Sequence, residues 1–89
     1  MDAVITVVGK DRIGILALMA NVCADNKINI LDVSQTIVDG IFTMTMIVDT
    51  KLMSKNISEF SEEMKTLGDK EGLVIRMMNR EIFDSMHRI

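Results

Sequence analysis

The chain opens with a run in which nearly every position is apolar or β-branched. Over residues 3–8, Ala3, Ile5 and Val7 fall on one face and Val4, Thr6 and Val8 on the other, which predicts a first strand. Gly9-Lys10-Asp11-Arg12 ends that period. Ile15, Leu18, Met19, Val22 and Asn26 then recur at helical spacing, with Leu16, Ala20 and Cys23 as a second apolar stripe, so a first helix running to about residue 26 is expected. Only a narrow polar edge near Asn21 and Asp25 remains. A helix so patterned needs cover on more than one side, from its own domain or from a second copy.

A second strand over 29–38 alternates imperfectly. Leu31, Val33, Gln35 and Ile37 share one face while Ile30 opposes them, an irregularity that a bulge near Leu31 would repair. Asp39-Gly40 is a strong hairpin signal, because both central positions of a type I′ turn need positive φ. A third strand over 41–49 follows, with Phe42, Met44, Met46 and Val48 inward and Ile41, Thr43, Thr45 and Ile47 opposite. Ile57, Phe60, Met64 and Leu67 define a second helix, opened by an Asn56/Glu59 capping box and stopped at Gly68. Residues 73–78 supply a last strand, and Ile82, Phe83, Met86 and Ile89 fall on one side of a C-terminal helix over about 80–88.

The order is βαββαβ plus a tail helix. Two split βαβ units of this kind fold over one four-stranded antiparallel sheet with both main helices on the same face, an α+β ferredoxin-like sandwich. Residues 1–89 read as a single domain, with a core over 1–79. The other sheet face would carry Val4, Thr6, Thr43, Thr45 and Arg76, too apolar for plain solvation, so the tail helix or a second copy is expected across it.

Composition narrows the function classes. Among 89 residues, 48% are hydrophobic and 26% charged, as in a globular domain, and the formal net charge of -3 provides no broad basic field for phosphate backbones or anionic lipid. Neither a nucleic-acid nor a membrane partner is expected. One cysteine, Cys23, cannot form an internal disulfide or a zinc site, and no signal peptide or membrane span is recognisable, so the cytoplasm is the expected compartment. Three phenylalanines are the only aromatic residues, which leaves little for bases to stack on.

Catalytic readings of this architecture fail on what each chemistry requires. Anion-cradling hydrolysis would need a glycine-rich loop after the first strand, and Arg12 stands there without one. Soft-metal transfer would need a CxxC pair, and RNA recognition would need aromatics on the central strands. His87, the single histidine, reads as a residue of the tail helix's last turn, and Cys23 as a small buried hydrophobe. No nucleophile is paired with a base, no metal ligand set is present and no cofactor is called for. Gln35 lies mid-strand among apolar neighbours, where an amide bonds across a dimer or sits at a sheet edge.

The informative segment is Val7 to Ile15, a turn that delivers the chain from a strand into a helix N-terminus. Free amides and the helix dipole there favour a carboxylate, Gly14 permits close approach of backbone or ligand, and Asp11 can cap the helix or accept an ammonium group. The plainer alternative is a capped helix with a solvated Lys10 and Arg12.

Gly-Lys-Asp-Arg-Ile-Gly-Ile at positions 9 to 15, Lys-Ile-Asn-Ile at 27 to 30, Ser34-Gln35-Thr36 and Phe42-Thr43-Met44 together closely resemble the ACT domain, in the form of the small single-domain proteins of bacteria and archaea. The resemblance covers essentially the whole chain. It implies a non-enzymatic regulatory module that forms a homodimer, binds an amino acid or similar zwitterion near the subunit interface and passes a signal to a regulated protein. It also implies ligand contacts from Asp11, Arg12, Ile13, Gly14 and Ile15 of one copy and from Asn29 and Ile30 of another. Many family members carry proline where Ile13 stands, so this turn lacks one rigid φ. Asn29 also has a local reading, a helix-exit residue with positive φ. The alternative for the whole chain is a protein–protein interaction module without a small-molecule ligand.

Overall fold

Two β-branched strands with apolar residues on both faces belong in the middle of a sheet, and that is where the first and third strands lie. The computed structural model describes residues 2–86, with β1 Asp2–Lys10, α1 Ile15–Asp25, β2 Asn29–Val38, β3 Ile41–Asp49, α2 Ile57–Glu71, β4 Leu73–Asn79 and α3 Arg80–Met86. The sheet order is β2-β3-β1-β4, every pair antiparallel. This is the βαββαβ ferredoxin-like arrangement with a C-terminal helix. The core lies between the sheet and the two main helices: Ala3, Ile5 and Val7 of β1 and Phe42, Met44, Met46 and Val48 of β3 meet Ile15, Met19 and Cys23 of α1 and Phe60 and Met64 of α2.

Several boundaries move, each for a visible reason. β1 runs through Gly9 and Lys10, which pair with Phe42 and Ile41, so only 11–14 form the turn. The β2 bulge falls between Ile30 and Asp32, at Leu31. It rotates Ile30 onto the same face as Val33, opposite Val48 and Met46, and leaves Leu31 exposed. Asp39 and Gly40 both have positive φ, at 51° and 76°, as the hairpin requires. Asn56 caps α2, its side chain accepting from the Glu59 amide at 2.8 Å.

Gly68 does not end α2. The helix continues to Glu71 and stops at Gly72, whose φ of 72° forms the left-handed cap. Gly68 is instead buried where α2 crosses β4, and a Cβ there would overlap the Leu73 carbonyl oxygen. The glycine serves close packing of helix on strand.

α3 lies against β1 and β4 on the face away from the main helices and buries Val4 completely. Arg80 ties its first turn to β1 through Asp2 at 3.0 Å. Ile82 and Met86 stay exposed, so the tail helix covers less of that face than its apolar pattern suggested, and Val8, Ile41 and Val74 are open to solvent. His87 and Ile89 lie outside the described residues. Among those described, no helix is long and apolar enough to cross a membrane.

Two consequences can be measured. Gly68→Ala should lower unfolding free energy by about 2–3 kcal/mol in urea titrations, because backbone must shift to admit one methyl group. Burial pushes the Cys23 thiol up from 9.0 to about 11. Below pH 9 the thiol is protonated in the folded and unfolded chains alike, and between pH 9 and 11 only the unfolded chain ionises, so stability falls as pH rises through that window. Cys23→Ala should abolish this component, about 2 kcal/mol by pH 11.

Candidate functional site

The turn at 11–14 is held beside the β2/β3 hairpin, where the Asp11 amide donates to the Gly40 carbonyl at 2.9 Å. Gly14 is the N-cap of α1 with φ 95°, and nothing stands within 4 Å of where its Cβ would be. Backbone conformation therefore requires the glycine, and the space beside it is open. Among the described residues no side chain caps the helix, Asp11 included, although sequence made Asp11 a candidate. The amides of Ile15, Leu16 and Ala17 find no acceptor among the described residues, the first helical bond being Leu18 to Gly14 at 2.9 Å.

The side chains divide. Ile13 projects into solvent, 98% exposed, and Leu16, the second residue of the helix, is 42% exposed. Ile15 is wholly buried and belongs to the core. Arg12 is engaged by the end of α2: its guanidinium donates to the Glu71 carboxylate at 2.8 Å and to the Ile13 carbonyl at 3.5 Å. The plainer alternative, a solvated Arg12, holds in part, since the side chain stays 40% exposed while its ion pair straps the turn to α2. Nothing near Arg12 in the sequence signals Glu71. The antiparallel register of β1 with β4, Gly9 opposite Leu73, brings the two together.

Asn29 and Ile30 lie elsewhere. Asn29 opens β2 opposite Asp49, which is itself opposite Asp2, whereas the 11–14 turn follows Lys10, opposite Ile41. Eight strand steps separate Asp2 from Lys10, roughly 27 Å at the strand rise. One chain thus places the two groups of residues at opposite ends of the sheet. The helix-exit reading of Asn29 also falls, because positive φ belongs to Lys27, at 58°, and Asn29 is in the strand and exposed. Ile30 is half-buried against the core.

What lies between the two groups is the outer edge of β2, which pairs only with β3. Ile37 faces the helix side of the sheet, opposite Phe42, yet is 56% exposed. Gln35 on the same face is exposed too. Both sit at a sheet edge and neither is core. For Gln35 the sheet edge was one of the two positions read from the sequence; for Ile37, alternation alone does not report which strand ends up outermost. Among the described residues no three His, Cys, Asp or Glu side chains gather to hold a metal.

Residues 2–78 match the family model of the ACT domain. The chain is 47% identical over 89 residues to a UPF0237 protein of Clostridium perfringens, covering 100% of both chains. It is 49% identical over 92 residues to a UPF0237 protein of Neisseria meningitidis, covering 99% of this chain and 98% of that one. Its fold superposes on an ACT domain protein from Streptococcus pneumoniae with a TM-score of 0.82, 35% identity and 93% of each chain covered. Family model, full-length relatives and superposed fold agree: this chain belongs to the ACT domain family, a family of small regulatory ligand-binding modules and not of catalysts.

Proposed function

We propose that the protein senses an amino acid or a similar small zwitterion, bound between two copies paired through β2. The observation that carries this reading is the separation of the two groups of site residues by the length of an unpaired edge strand. An antiparallel twofold that joins β2 to β2 sets the start of one strand at the level of the end of the other. Asn29 of a second copy then arrives beside Ile37 and Val38, next to the hairpin whose Gly40 carbonyl holds Asp11. Each ligand site combines one copy's 11–15 turn with the other copy's Asn29, and Ile30 supports that strand end from below.

The chemistry suits a zwitterion. The uncapped amides of α1 and its dipole attract a carboxylate, while the Asp11 carboxylate or the Asn29 amide oxygen accepts from an ammonium group. Ile13 and Leu16, exposed in one chain, form an aliphatic wall. Because two copies complete each site, a ligand that touches both stabilises the paired state, and a regulated protein that distinguishes paired from unpaired chains reads the signal. No reacting group is required.

Isothermal titration with the twenty amino acids should give heat with at least one of them. Asn29→Ala should weaken that affinity about tenfold by removing one hydrogen bond to a charged group. Ser34→Lys, near the middle of β2, sets like charges opposite one another across the twofold, so sedimentation should show single copies and titration should lose its heat. Undiminished binding to a chain that sediments as a monomer would sink the shared site, and silence from all twenty amino acids would sink the ligand class.

A further inference from the structure

The second free edge of the sheet is β4, and it is built differently from β2. Among the described residues β4 pairs only with β1, so alternate backbone groups on its other side face outward. α2 overhangs that edge and makes a groove of about 560 Å³, floored by Leu73, Ile75 and Met77 and walled by Glu62, Lys65 and Asp69. None of these three charged side chains has an ion pair or side-chain hydrogen bond among the described residues. A groove between an edge strand and a helix is the geometry in which an extended peptide adds to a sheet.

A second copy is a poor occupant. A twofold that pairs β4 with itself must set one residue against its own copy, because side chains on the two strands have to keep to the same face. The full-length register centres on Arg76 and opposes two guanidinium groups. The register centred on Ile75 is level with Lys65, since three strand residues and seven helical residues each span about 10 Å. It sets Lys65 against Lys65 and Glu62 near Asp69, like charge against like throughout. The register centred on Met77 leaves Leu73 and Val74 unpaired. β2 carries no comparable obstacle, its one charged side chain being Asp32.

The geometry points to an extended strand of a different protein as the occupant of this groove, with its helix-side residues basic, acidic and basic in turn. Such a strand pairs its backbone with β4 and sets a cation near Asp69, an anion near Lys65 and a cation near Glu62. The pattern reads the same in both strand directions, so parallel and antiparallel additions are equally served. This surface lies across the sheet from β2 and remains accessible whether or not two copies pair there. It gives the module an output edge separate from its ligand edge, and it does not rest on the amino-acid reading.

The test uses two blocked hexapeptides, Lys-Thr-Glu-Thr-Lys-Thr and its charge-inverted counterpart Glu-Thr-Lys-Thr-Glu-Thr, titrated into the isotopically labelled chain while backbone amide shifts are followed. The first peptide should move the amides of 73–78 and bind about tenfold more tightly than the second, the sum of several exposed pairs. A chain carrying Glu62→Lys, Lys65→Glu and Asp69→Lys should reverse that preference. Shifts confined to β2, equal binding of both peptides, no shift at millimolar peptide, or movement of 73–78 on dilution of the chain alone would each overturn the proposal. The last would identify a second copy as the occupant after all.

Discussion

Backbone pairing of β1 with two antiparallel neighbours governs where every other feature of this protein can be. Because β1 is central, the turn that follows Lys10 must emerge at the hairpin end of the sheet, and α1 must begin there. Because β3 occupies one side of β1 and β4 the other, β2 is left outermost. These two facts separate the uncapped helix start from Asn29 and leave an unpaired strand between them. The sheet order sets this division before any ligand is considered.

The helices add a second asymmetry. α1 and α2 sit on one face and bury Ile15, Met19, Cys23, Phe60 and Met64 against the sheet. Methionine suits this, since an unbranched side chain fills the irregular space between a short helix and a twisted sheet. On the β2 side of the sheet, Ile37 and Gln35 face the helix side without cover. The apolar second stripe on α1 has the same origin. Leu16 belongs to a surface that one chain does not cover, while Cys23 has turned into the core.

Much of the fold was legible in the sequence, and what was hidden had a common cause. Period-two runs located all four strands, and Asp39-Gly40 announced its hairpin because positive φ at two consecutive positions restricts residue choice sharply. The β2 bulge was visible as a break in alternation at Leu31. Glycines misled where the reason for them was tertiary: Gly68 looks like a helix stop but answers to the Leu73 carbonyl packed against it. The candidate turn was legible from its residue types, whereas the Arg12–Glu71 strap was not, since 59 residues separate the partners and only the β1/β4 register joins them. Positive φ at Lys27, a residue with no preference for it, similarly displaced Asn29 from the helix exit into the strand.

The contact of Gly68 with Leu73 reaches beyond stability. Helix and strand are joined by Gly72 alone and touch backbone to backbone within a few residues of that joint, so this corner has no slack to absorb an added or deleted residue. The connection between β3 and α2, residues 50–56, is longer and mostly exposed, and its length can vary without disturbing the sheet. An inserted residue is therefore tolerated better in that connection than at the α2–β4 corner, where helix and strand backbones already touch.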